Sequence, residues 1–202
     1  MILIVGATGV LGGHVCRLLR ERGHPVRALV RKTSDPDKVA SLRAIGAEIV
    51  LGDLKNRESL EAACRGASAL VTTVSSTQSR HEGDSIDTVD RQGQLDLVAA
   101  AEAAGVGHFV YVSFPPVAVE FPLQDAKRAV ENRLRGSRIA HTILQPTFFA
   151  EVWLSPALGF DPAGGTARVM EAGGTRSAGS RSRTWPSSWS PHSRPLGSLG
   201  ES

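Results

Sequence analysis

Residues Met1 to Gly13 read M-I-L-I-V-G-A-T-G-V-L-G-G, an unbroken apolar run that meets glycines at 6, 9 and 12. Ile2 to Val5 lack polar alternation, which suits a strand buried on both faces in the middle of a parallel sheet. Each glycine then has its own task. Gly6 permits a tight turn off the strand, Gly9 removes a Cβ where backbone must approach a pyrophosphate, and Gly12 lets the following helix pack closely. That helix carries Leu11, Val15, Leu18 and Leu19 on one stripe and closes at Gly23. Its first N–H groups and positive end face an anion. The spacing is G-x-x-G-x-x-G rather than the commoner G-x-G-x-x-G, so the strand before it and the helix after it carry the assignment.

Working outward, apolar segments alternate with amphipathic ones. Strands are predicted at 25–30, 48–51, 69–74, 108–112 and 140–144, with helices starting near Asp35 and at Asn56, spanning 86–104, and spanning 124–135. Ser75 to Asp84 reads as a polar loop. This rhythm predicts an α/β fold, a doubly wound parallel sheet of order 3-2-1-4-5-6, with its ligand across the carboxyl ends of the strands at the switch between strands 1 and 4.

The 202 residues carry 41% hydrophobic side chains and a formal charge of +3, with basic residues scattered along the chain. Neither nucleic acid nor an anionic membrane is implied as a partner. Cys16 and Cys64 stand alone in predicted helices, without metal or disulfide spacing, and fit a reducing compartment. His14, His24, His81, His108 and His141 form no metal spacing either. No apolar run approaches the roughly 18 residues of a membrane span, and no signal peptide precedes the first strand, so the cytoplasm is expected.

G-A-T-G-V-L-G-G at 6 to 13, V-R-x-x-V-R at 26 to 31, G-D-L at 52 to 54, A-K-R-A-V-E at 126 to 131 and Q-P-T-F-F-A-E at 145 to 151 resemble, as a set, the NmrA-like group of atypical short-chain dehydrogenase/reductases. The resemblance covers about residues 1 to 170. It implies a Rossmann domain over 1–155, a remnant of the substrate side over 156–172, and binding of NADP(H) or NAD(H), with either reductase chemistry or redox sensing through a regulatory protein partner. The dinucleotide would run over Gly6, Thr8, Gly9, Val10, Leu11 and Gly12, with Thr73, Val74, Lys127 and Pro146 along its path. Asp53 and Leu54 would border the adenine, although Asp53 equally suits a turn or cap.

At the end of strand 2, an NAD site wants a carboxylate for the ribose 2′-hydroxyl, and a 2′-phosphate wants cations. Arg31 and Lys32 stand there with no acid before Asp35, so NADPH is expected over NADH, unless the two are ordinary surface cations. A standard short-chain dehydrogenase places a tyrosine four residues before its lysine, to pass a proton at neutral pH. Lys127 is present, but position 123 is leucine, and the only tyrosine, Tyr111, lies within strand 5. The catalytic candidates are therefore Lys127 and Ser113. Lys127 shares a helical stripe with Val130 and Leu134, so it either reaches the nicotinamide ribose or snorkels from the helix edge. Ser113 either bonds substrate or cofactor or simply ends its strand. Were Lys127 a ribose contact, its replacement by alanine should leave the melting temperature of the free protein nearly unchanged. The substrate expected is a small carbonyl or unsaturated compound.

Residues 173–202 break the pattern. Of these 30 residues, 21 are Gly, Ser, Pro or Arg and only Leu196 and Leu199 are large aliphatics. Such a composition cannot offset the entropy of ordering, so a disordered tail is expected. Gly179 to Pro191 can be encoded by bases that, read one position earlier with a leading T, give W-I-S-V-E-D-V-A-E-F-V-V-A. That string resembles the family's next strand and helix. A frameshift near Met170 to Gly174 is one explanation, and a natural low-complexity extension the other.

Overall fold

The computed structural model describes residues 1–77, 79, 81–147, 160–161, 166–168 and 182–184. They fall into two compact units, Met1–Pro146 and Thr147–Ser202. The first is built on six parallel strands, β1 Ile2–Val5, β2 Val26–Val30, β3 Glu48–Leu51, β4 Ala69–Thr72, β5 His108–Val112 and β6 Ala140–Leu144. Their order, β3-β2-β1-β4-β5-β6, is the one the alternation predicts. β1 sits centrally, with Leu3, Ile4 and Val5 buried, because an all-apolar strand is stable only when both sheet faces are covered. Val5 pairs with Leu29 of β2 and Thr72 of β4, and the chain diverges on either side of this point.

The crossovers are α1 Val10–Glu21, α2 Pro36–Ala44, α3 Arg57–Cys64, α4 Gln94–Ala103 and α5 Pro122–Arg135. Asp35 caps α2 by accepting from the Asp37 N–H, and Asn56 caps α3 by accepting from Ser59 N at 3.0 Å. One face of the sheet is covered by α1 and α2, where Ile4, Cys16, Ala28 and Leu42 meet. The other is covered by α3, α4 and α5, where Leu3, Leu60, Leu97, Phe109 and Val130 meet. Both cysteines are buried, and burial raises each thiol to about 11. They are packing residues, as their isolation implies.

Three boundaries differ from the sequence reading by two residues or more, each for a local reason. β4 ends at Thr72, because Thr73 and Val74 peel off to pack over Gly6. α5 begins two residues early, at Pro122, whose fixed φ suits the first helical turn. The helix expected over 86–104 is α-helical only from Gln94. Ile86–Gly93 winds wider, as a π-helix opened by a Ser85–Thr88 capping box. Gly93 packs on Leu54 so closely that an added Cβ would stand 2.8 Å from the Leu54 Cβ.

In the second unit, Phe160–Asp161, Thr166–Arg168 and Ser182–Thr184 form a small antiparallel sheet. Ser182–Thr184 lies inside the stretch read as lacking regular structure, and that expectation fails there: backbone pairing with Thr166–Arg168 needs no apolar side chains. The other residues of 173–202 lie outside the described ones, as do Phe148 to Glu151 of the Q-P-T-F-F-A-E motif.

Candidate functional site

Each sequence-derived candidate follows the carboxyl end of a strand: Gly6 after β1, Arg31 after β2, Asp53 after β3, Thr73 after β4, Ser113 after β5 and Pro146 after β6. Val10, Leu11 and Gly12 open α1, and Lys127 comes from α5.

At β1, Gly6 has φ +90, and a Cβ there would stand 2.7 Å from the Thr73 Oγ1. A Cβ at Gly12 would stand 2.1 Å from the Gly6 carbonyl oxygen, so turn and helix touch through bare backbone. Gly9 differs. It takes an extended conformation open to any residue, and an added Cβ meets only the Gly6 oxygen, at 3.2 Å. The absent side chain at 9 therefore leaves room on the outer side. α1 has no side-chain cap and no acid in its first turn, and Val10 beside it is 76% exposed. Uncapped N–H groups at a positive helix end, with bulky apolar side chains left in water, form a cradle for an anionic group with an apolar body. Thr8 is half-buried and Leu11 exposed at the rim.

The β2–β3 side carries the cations. Lys32 is exposed, but Arg31 is engaged: its Nη1 donates to Asp84 Oδ2 at 2.7 Å. Lys55 Nζ donates to Asp84 Oδ1 at 2.7 Å, and Ser79 Oγ also donates to Oδ2. Burial would push the Asp84 carboxyl up, yet these donors outweigh it and hold the group well below the usual carboxylate range. Asp53 takes a turn role, its Oδ1 accepting from Lys55 N at 2.9 Å, and Leu54 is buried against Gly93.

The β4–β6 side is a buried polar cluster. Lys127 does not snorkel. Its Nζ donates to the Val112 carbonyl at 3.2 Å, stands 3.8 Å from Asp90 Oδ1, and lies 5.1 Å from the centre of the Tyr111 ring. Burial lowers the affinity of Lys127 for its proton, against the opposing pull of Asp90 and Glu131. Asp90, on the π-helix, accepts at Oδ2 from Ser76 N and Oγ, while Oδ1 makes no hydrogen bond among the described residues. The Tyr111 phenol is fully buried, and desolvation followed by the charges of Asp90 and Glu131 raises it far above its ordinary range. Ser113 is turned inward and donates to Glu131 Oε1 at 2.6 Å. Glu131 also accepts from Arg128, Arg135 and Gln145, and those donors with Ser113 overcome its desolvation to lower its pKa. Arg128 further reaches the Phe114 carbonyl and lies over the Phe114 ring.

Asp84, Asp90 and Glu131 escaped the sequence reading. Asp90 had a signal, since it recurs with Val89, Gly93 and Gln94 on the stripe facing the sheet, where an acid needs a partner. Asp84 had none, because it lies in a polar loop and meets Arg31 only through the fold. Among the described residues no group of three or more His, Cys, Asp or Glu could hold a metal, and no helix is long and apolar enough to cross a membrane.

This arrangement can be set beside known proteins. The NmrA-like family model matches residues 1–173. The chain belongs to the NmrA-like family. Among curated members, a Photosystem II assembly factor, Ycf39, of Trieres chinensis is 35% identical over 146 residues, 71% of this chain and 44% of its own length. An NAD(P)H azoreductase of Xenophilus azovorans is 35% identical over 153 residues, 75% of this chain and 49% of that protein. An NADPH-dependent quinone oxidoreductase of Escherichia coli, solved with NADPH, superposes with TM-score 0.62 at 28% identity, covering 82% of this chain and 54% of that one. This NmrA-like chain thus spans about half the length of the relatives it matches.

Proposed function

We propose that the chain binds NADP(H) across the carboxyl ends of β1, β2, β4 and β5, and that this site serves a reductase acting on a small carbonyl or unsaturated compound. The observation that carries the reading is the cradle at α1, with bare backbone at Gly6 and Gly12, outward room at Gly9 and an uncapped helix start. The azoreductase and the NADPH-bound quinone oxidoreductase among its relatives support it.

Bound there, a reduced nicotinamide supplies hydride. The first-turn N–H groups of α1 would hold the pyrophosphate, and Arg31 and Lys32 would pair with the 2′-phosphate. Leu123 leaves no phenol one helical turn before Lys127, and the Tyr111 phenol near it is sealed, so Lys127 Nζ would hold the proton that balances hydride transfer, delivering it directly or through water. Its bond to Val112 O and the Asp90 carboxylate keep that nitrogen at the end of β5. The buried, reduced cysteines suit a cytoplasmic setting.

Titration of the protein with NADPH and NADH, then absorbance of the reduced nicotinamide with quinone, azo and carbonyl acceptors, tests both halves. Tighter NADPH binding and turnover of at least one acceptor are expected. Absence of binding overturns the site, and binding without turnover of any acceptor leaves a dinucleotide sensor that signals through a protein partner. The sealed Tyr111 phenol favours that second reading.

A further inference from the structure

An acid stands at the cationic end of the site after all, although it comes from a distant loop. Asp84, which follows β4, takes the Arg31 guanidinium and the Lys55 ammonium on separate oxygens, and its side chain is only 3% exposed. Two cations and the Ser79 hydroxyl converging on one oxyanion form the donor set that a phosphate monoester uses. The remaining Arg31 guanidinium nitrogens have no protein partner among the described residues, so a second anion can approach the same group. It would do so beside a carboxylate that the surrounding donors keep ionised, and like charges at this range repel.

We propose that Asp84 sets the cofactor specificity of this site: its carboxylate occupies the cations that read a ribose 2′-phosphate, competes with that phosphate, and so narrows the preference for NADPH over NADH. This rests on the dinucleotide reading of the cradle. A 2′-hydroxyl brings no charge and escapes the competition. Lys32, exposed and outside the Asp84 cluster, supplies a cation for which no anion competes among the described residues. The device differs from an acid at the end of β2, because Asp84 belongs to a separate loop whose position decides how much of the Arg31 charge a ligand meets.

The test uses 2′,5′-ADP and 5′-ADP, which present the adenosine half with and without the 2′-phosphate, on the full chain by calorimetry. In Asp84→Asn the ratio of 2′,5′-ADP to 5′-ADP affinity should rise about tenfold, the value of one charge-assisted contact regained. An unchanged or lower ratio overturns the proposal and makes Asp84 a residue that merely gathers the two cations. Should Asp84→Asn not fold, hydrogen exchange on the unmutated chain decides. The Ser79 and Asp84 amides, bonded to Ser76 O and His81 O, should exchange faster with 2′,5′-ADP than with 5′-ADP if the phosphate displaces the carboxylate. Equal or slower exchange overturns it. Binding of neither nucleotide to either protein defeats the dinucleotide reading itself, which separates the two failures.

Discussion

On the β1–β3 side of the site the Arg31 and Lys55 side chains are 33% and 30% exposed around an acid that is itself 3% exposed, whereas on the β4–β6 side Lys127 and Asp90 are 6% and 0% exposed. Water reaches the Arg31 and Lys55 cations, and Asp84 keeps Lys55 and Ser79 when Arg31 turns to a ligand, so Arg31 is recruited at little cost to folding. The second group has been taken out of water. Its members must satisfy one another, and removing one leaves a partner buried and uncompensated. In the proposed site, function and stability are therefore separable on the side assigned to adenosine and coupled on the side assigned to nicotinamide.

The largest expected effect falls on the coupled side. Glu131→Ala strips the shared acceptor from Ser113, Arg128, Arg135 and Gln145, and should destabilise by about 3–5 kcal/mol. In a chain of this size that lowers the melting temperature by roughly 10 °C, measurable by calorimetry. Because the Glu131 carboxyl is held below its unfolded value, its contribution is complete above an unfolded pKa of about 4.3 and drains as pH falls through the folded one. The gap between the parent chain and Glu131→Gln should therefore close as pH drops below about 4. A gap that widens there would break the comparison.

Lys127→Met comes next. Against the expectation that loss of this lysine spares the free protein, its burial predicts a cost of about 3 kcal/mol, because Asp90 would be left without its cation. Adding Asp90→Asn should restore part of that loss, and a double-mutant cycle with no coupling would show that the pair is incidental. Dinucleotide binding by the double variant then reports the contact of Lys127 with the ligand alone.

Arg31→Gln belongs to the separable side. It should lower NADPH affinity by about 2 kcal/mol, leave NADH affinity alone and shift the melting temperature little. Glutamine is the sharper choice than glutamate, which would face Asp84. An equal loss for both dinucleotides would remove Arg31 from the 2′-phosphate. The smallest change in stability is expected for Gly9→Ala, about 1 kcal/mol or less, because the backbone there is extended and the new methyl is tight only against the Gly6 oxygen, at 3.2 Å. Dinucleotide affinity should nonetheless fall, since that methyl occupies the approach to the helix start. A variant that unfolds, or one that binds normally, would each count against the cradle.

The chain's own periodicity determined the strand order, the glycine turn and the Arg31–Lys32 position, because these depend on neighbours within a few residues: a two-faced apolar strand, a turn, an amphipathic helix. Tertiary structure alone decided that Lys127 is buried rather than snorkelling, that Ser113 faces Glu131 rather than the open end of β5, and that Asp84 reaches Arg31 across 53 positions of sequence. Each of those outcomes depends on which charge meets which after the sheet has closed. Local pattern places an ionisable residue on an element; its desolvation and its partners exist only in the packed fold.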